Sequence, residues 1–257
     1  MSWNYISSIH KGYAVSNSLM VNIESDGKIL PRLMISRFNM LEFFIVHPKS
    51  IELDFQLEIF ANVSKIAKIS TDLKDTPSFL FILAENLDYG FITIKNREII
   101  TKCFGTIAVG PNIVNDPEDI KITQEFTRVG GFITTFYIGI YVLSGIFTVF
   151  TLKLMSSNEI SVERMFNLRL PSQRINDISA LHNRTFKASN PLLAVLSEED
   201  TKDRTKRFQV FELNLLTEEL ITKKLYWEIY FAGNTTVNKL MCLPDGDVLF
   251  FSEINIG

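Results

Sequence analysis

Between Arg128 and Lys153 run 24 consecutive residues without a charge, "VGGFITTFYIGIYVLSGIFTVFTL". Such a stretch has two physical solutions. As a helix it is long enough to cross a bilayer, which takes about 20 apolar residues. As strands it must be covered on both faces, because alternation gives way to continuous apolar runs when neither face meets water. The residues favour strands. Val, Ile, Thr, Phe and Tyr dominate, and these side chains suit a pleated surface. Ser144-Gly145 stands between "IGIYVL" and "IFTVFTL", a tight-hairpin signal. Arg128 and Lys153 are single residues, one at each end, so the charge asymmetry that orients a membrane span is missing. The stretch is expected to form three strands, 131–136, 138–143 and 146–152, with Gly145 at a hairpin tip and no membrane association.

The rest of the chain keeps the same rhythm. Short apolar or alternating runs fall at 19–23, 32–36, 40–46 and 51–60, separated by Asp26-Gly27, Arg37-Phe38-Asn39 and Pro48-Lys49-Ser50. Within 51–60, Ile51, Leu53, Phe55, Leu57 and Ile59 alternate with Glu52, Asp54, Gln56 and Glu58, which predicts a half-buried strand with one wet face. A second set reads 63–70, 78–85, 89–95 and 98–104. The third set ends at 164–170. A fourth covers 175–181, 191–199, 208–215 and 220–230, and a fifth begins with 238–243 and 246–253. Residues 105–127 read as a long loop between sets, and 198–207 as a charged hairpin loop.

Strands in fours, recurring about every 45 to 65 residues without a helix, predict an all-β fold: a partial β-propeller of about four and a half blades, each of four antiparallel strands. A β-sandwich needs only seven to nine strands in roughly 100 residues. No Trp-Asp or kelch signature closes the sets, so the repeat is structural rather than a sequence repeat. The chain stops at Gly257 partway through the fifth set. One incomplete propeller domain is expected over 1–257, a fragment of a seven-bladed propeller that comes from a truncated reading frame or from a longer chain.

Composition narrows the function classes. Twenty-six basic and 29 acidic residues give a net charge of -3, which does not suit a dedicated phosphate-backbone binder. Cys103 and Cys242 are too few and too far apart for a disulfide framework or thiolate metal site. They read as small buried apolar residues. The N-terminus lacks the basic and apolar regions of a secretory signal. Without that signal, the sequons at Asn62, Asn183 and Asn234 read as chance matches.

Catalytic signatures are absent from the sequence. His10, His47 and His182 are scattered and show no metal-ligand spacing. "VLSGIF" lacks the first glycine of a nucleophile elbow. "GTIAVG" continues into Pro-Asn, without the lysine of a phosphate-binding loop. Glu198-Glu199-Asp200 and Glu218-Glu219 lie in polar stretches and read as solvated carboxylates rather than an acid/base pair. "KDRTKR" (202–207), the one basic cluster, reads as a solvated hairpin tip. Trp3, Tyr5, Tyr226 and Trp227 suit blade packing as well as base stacking. No enzyme activity, cofactor or metal is expected, and no catalytic or partner-binding residue is assigned.

Several segments resemble, in order, the large subunits of UV-damaged-DNA-binding complexes, the adaptors of cullin-type ubiquitin ligases. The opening carries Met1, Ser2, Trp3, Asn4, Tyr5, Lys11, Ala14 and Val15 in the family's places. "NMLEFFIV" (39–46) and "SFLFILAENLDYGFITI" (78–94) resemble its first- and second-blade strands. "YIGIYVLSGIFTVFTL" (137–152) resembles its hairpin, with Gly139, Gly145, Phe147 and Val149 matching. "FNLRLPSQRINDISAL" (166–181) matches at Asn167, Arg169, Leu170, Ile175 and Asp177. Residues 105–127 fit poorly. The resemblance covers nearly the whole chain, and its specificity lies in the collinear set. It implies the first propeller of a three-propeller scaffold: a nuclear, non-enzymatic platform that clasps the substrate receptors of a cullin ligase in DNA repair, any contact with nucleic acid being indirect. The same superfamily holds scaffolds of pre-mRNA cleavage and of splicing, the alternative this resemblance leaves open. A propeller-type hydrolase, from another class, would need an acid/base cluster at the channel mouth.

Overall fold

The computed structural model describes residues 15, 17–59, 61–69, 76–107, 121–129, 132–142, 146–154, 160–170, 174–181, 190–199, 205–221, 228–231, 237–243 and 247–252. Among these residues the secondary structure is all strand. The chain divides into two compact units, 1–107 and 108–257. The strands form consecutive antiparallel sheets, mostly of four, in the arrangement of a partial β-propeller.

Unit 1 holds two four-stranded meanders joined into one eight-stranded sheet. The first is β1 (Asn17–Ser25), β2 (Lys28–Arg37), β3 (Met40–Val46) and β4 (Ile51–Glu58); the second is β5 (Val63–Ile69), β6 (Phe79–Ala84), β7 (Asp88–Lys95) and β8 (Glu98–Thr106). Each runs as an up-and-down meander. A single parallel pair, Glu24 with Lys95, links β1 to β7. Unit 2 opens with β9 (Lys121–Val129), β10 (Phe132–Val142), β11 (Ile146–Leu154) and β12 (Ile160–Arg169). It continues with β13 (Arg174–Leu181), β14 (Leu192–Glu198), β15 (Lys206–Asn214), β16 (Glu219–Ile221) and β17 (Glu228–Phe231). The hairpin of β18 (Val237–Cys242) and β19 (Val248–Ser252) follows.

The uncharged run forms two strands rather than three. β10 is continuous from Phe132 to Val142, and the expected break near Tyr137 is an ordinary ladder position paired with both β9 and β11. Nothing at Tyr137 stops a strand, since Tyr is a strand former. Val142 pairs with Ile146, so the chain reverses between them. Ser144 and Gly145 themselves lie outside the described residues. The third place in this sheet goes to β9, inside the stretch read as loop. Its sequence, "KITQEFTRV", is too polar to declare itself, yet it pairs along β10 from Tyr141 to Phe132. The strand read at 220–230 is two short ones, β16 and β17, on different parts of β15.

Burial explains the apolar runs. Tyr137, Phe147, Phe150, Val149 and Leu152 are fully buried. One face of the β9–β12 sheet packs on one face of the β13–β17 sheet, through Tyr137, Tyr141, Phe147, Val149 and Phe166 against Leu193, Val195, Phe211 and Leu213. The opposite face of that second sheet packs through Leu192, Ala194, Leu196, Phe208 and Val210 on Leu240 of the final hairpin. The β14 run 192–196 is apolar throughout because both faces are covered, and Phe208, Val210, Phe211 and Leu213 of β15 are buried beside it. In unit 1, Val21, Ile23, Met34, Leu41 and Phe43 meet Val63, Ile66, Leu80, Ile82, Ile92 and Ile94.

β4 departs from simple alternation. Phe43 pairs with Phe55 but Phe44 pairs with Leu53, which makes Asp54 the extra residue of a β-bulge. Phe55, Leu57 and Ile59 pack on the core, whereas Ile51 and Leu53 are turned to the other face and exposed. The outer strands β8 and β12 carry the same device, with Lys102 and Glu163 as the extra residues. A bulge bends an outer strand and interrupts its ladder.

Candidate interaction site

Among the described residues, the side chains weighed for chemistry do not converge. Among the described residues no group of three His, Cys, Asp or Glu side chains could hold a metal ion. No helix among them is long and apolar enough to cross a membrane. His47 is exposed beside Glu52 at 3.7 Å, on the β3–β4 connection. Cys103 and Cys242 are half-buried and form no disulfide. Glu198 faces Arg174 at 3.7 Å and Glu218 faces Arg164 at 3.7 Å, so both act in ion pairs rather than as an acid/base couple. Trp3, Tyr5, His10, His182, Asn183, Asp200, Tyr226, Trp227 and Asn234 lie outside the described residues.

Of the basic cluster, Lys206 and Arg207 open β15 and are structural. Arg207 pairs with Glu199 at 3.4 Å and with Glu228 of β17, and lies 5.4 Å from the Tyr230 ring centre. The Arg207 guanidinium holds the Glu228 carboxyl below the usual carboxylate range. Hydrogen bonding to Glu228 raises the Tyr230 phenol. A cation engaged in this way is poorly placed to bind a phosphate chain.

Exposed apolar side chains gather in rows on two sheet faces. Across the first sheet, Met20 pairs with Leu33, Leu33 with Phe44 and Phe44 with Leu53, one row on the face opposite the core. Met20 is 52% exposed and Leu53 45%, and the adjoining Val46 and Ile51 pair is 52% exposed at each residue. On the final hairpin Met241 pairs with Leu249, and both are exposed with Phe251 on the face away from Leu240. Contiguous exposed apolar rows of this kind mark candidate interaction surfaces.

Fixed polar ties hold the sheets that present these rows. Asp54 accepts from Arg32 Nε at 2.6 Å and from Arg97 Nη2 at 2.9 Å. Arg97 also lies 5.6 Å above Phe55, which stacks on Phe43 at 4.5 Å. Asn96 and Arg97 both have positive φ, 50° and 63°, in the β7–β8 turn. That turn docks on β1: Asn96 N–H donates to Glu24 O at 2.7 Å, and Asp26 N–H to Asn96 Oδ1 at 3.1 Å. In unit 2, Asp177 Oδ2 accepts from Leu240 N–H at 3.0 Å and Oδ1 from Ile178 N–H at 2.9 Å. Burial raises the Asp177 carboxyl above its ordinary value, against the lowering effect of those two N–H groups and of Lys121 and Lys239.

No protein-family profile matches the chain. Over 224 residues, 86% of its length, it is 23% identical to DNA damage-binding protein 1a of Arabidopsis thaliana. Over 223 residues, 85% of its length, it is 22% identical to DNA damage-binding protein 1 of Oryza sativa subsp. japonica. The chain is distantly similar to DNA damage-binding protein 1. It spans 18% of the length of each of these relatives.

The residues that carried the DNA damage-binding resemblance have architectural roles here. Gly139 lies beside Phe147 across the β10–β11 pair. A Cβ on Gly139 would stand 2.1 Å from Phe147 Cζ, so the glycine makes room for the ring. Asn167 accepts from the buried Thr148 Oγ1 at 2.8 Å on the directly opposite strand position. Asp177 ties β13 to β18. The sequence carried these residues as a pattern; their partners become visible only once the sheets are paired.

Proposed function

We propose that this chain is a non-enzymatic interaction scaffold, the first-propeller portion of an adaptor like DNA damage-binding protein 1. One observation carries the reading: collinear similarity to two DNA damage-binding proteins across most of the chain, on a strand pattern that forms propeller sheets. The apolar rows on Met20–Leu33–Phe44–Leu53 and on Met241–Leu249–Phe251 support it, because they suit protein partners. The proposed setting is the nucleus, in the response to DNA damage. The proposed partners are substrate receptors of a cullin-type ligase, with contact to nucleic acid indirect.

The test is affinity purification of the tagged chain from nuclear extract, before and after ultraviolet irradiation. Recovery of cullin-ligase receptors is the expected result. Recovery of pre-mRNA cleavage or splicing subunits in their place would assign the chain to the RNA-processing branch of the superfamily.

A further inference from the structure

The first strand of each sheet begins with a repeated element. In sequence these starts are Val15-Ser16-Asn17-Ser18, Val63-Ser64-Lys65-Ile66, Ile175-Asn176-Asp177-Ile178 and Val237-Asn238-Lys239-Leu240. β9 shares the last two places as Lys121-Ile122. The structure gives these places common geometry. In β5, β13 and β18 the second place is the extra residue of a bulge: Ser64, Asn176 and Asn238. The fourth place is buried in each, as Ile66, Ile178 and Leu240.

The third place reaches the next sheet. Asn17 Oδ1 accepts from Ile66 N–H at 3.3 Å, while Asn17 Nδ2 donates to Ser64 O at 3.3 Å. Asp177 Oδ2 accepts from Leu240 N–H at 3.0 Å. The two contacts are equivalent. In both, the third-place side chain of one sheet takes the fourth-place amide of the following one. β5 and β18 each pair on one side only, with β6 and β19, so an amide on the other side is open to a neighbour. Lys occupies the third place in β5, β9 and β18, and a Lys ammonium cannot accept a hydrogen bond.

We propose that this four-residue element is the joint of the fold, and that an Asn or Asp at its third place is a latch that fixes the next sheet by capturing its fourth-place amide. Asn17 and Asp177 are positioning residues in this sense, one in each compact unit. The proposal is independent of the partner reading above.

Amide hydrogen exchange on the full chain tests it. Asn17→Ala is expected to speed exchange at Ile66 by about tenfold and leave Leu240 unchanged, and Asp177→Ala to do the reverse. Asn17→Asp and Asp177→Asn each keep a side-chain oxygen, and are expected to hold protection within about threefold of the parent chain. Unchanged protection at Ile66 and Leu240 in the alanine variants overturns the latch. If an alanine variant does not fold, the oxygen-keeping variants decide: retained protection at the target amide supports the proposal, and its loss there refutes it.

Discussion

Arg97, in a turn of the second sheet, holds Asp54 on the edge strand of the first at 2.9 Å. The contact joins two elements 43 residues apart in sequence. Asp54 is only 10% exposed and also carries Arg32, which is 12% exposed. Asp54→Ala leaves Arg32 partly buried without its carboxylate, and a stranded buried donor costs about 2 kcal/mol. Arg97→Ala should cost less, under about 1 kcal/mol, because Arg97 is 61% exposed and its pairing is screened by water. Urea unfolding of the two variants would show this order. Equal losses would mean that Asp54 acts mainly through Arg97.

Gly139→Ala should be among the most damaging small changes in the chain. The new methyl overlaps the Phe147 ring, which is fully buried and has no room to retreat. Overpacking of this kind costs about 1–3 kcal/mol. Adding Phe147→Leu should recover part of the loss, so the pair should be strongly non-additive. Thermal unfolding of the single and double variants measures it. Simple addition of the two losses would show that the ring and the glycine are not coupled.

Asp177 should give unit 2 a pH dependence opposite to that of an ordinary paired carboxylate. Its folded pKa is raised, chiefly by burial. Stability from this group is then fully present below the unfolded value, near 4, and is lost as pH rises through the folded value. Asp177→Asn cannot ionise. Its denaturation midpoint should therefore gain on the parent chain as pH increases through that window. A difference that stays constant with pH would exclude Asp177 as the source.

Thr148→Val keeps the shape of a fully buried side chain but removes its bond to Asn167. Asn167 is exposed and can turn to water, so the expected loss is modest, about 1 kcal/mol. Asn167→Ala should cost at least as much, since it strands the Thr148 hydroxyl in the core. Chemical denaturation compares the two.

Strand placement was largely legible because turn residues punctuate it. Asp26-Gly27 forms the β1–β2 turn with positive φ at both residues, 52° and 71°. β6 and the 192–196 run of β14 are apolar throughout because they are buried on both faces. Three things were not legible. β9 is polar enough to pass for a loop, and only its pairing with β10 shows it as a strand. The Asp54 bulge reverses the facing of Ile51 and Leu53, since a one-residue insertion exchanges the two faces. The latch escaped notice because its third place changes chemistry along the chain, from Asn17 to Lys65, Lys121, Asp177 and Lys239.

The charged bulges on the outer strands have a consequence for how molecules meet. Asp54, Lys102 and Glu163 interrupt the outermost strands β4, β8 and β12. A foreign strand laid along any of these margins would run a few residues before its hydrogen bonds fell out of step. Bulges of this kind blunt edge-to-edge pairing between copies. Crowded copies of this chain should therefore resist fibre growth from these three margins, while their sheet faces stay available to partners that fit.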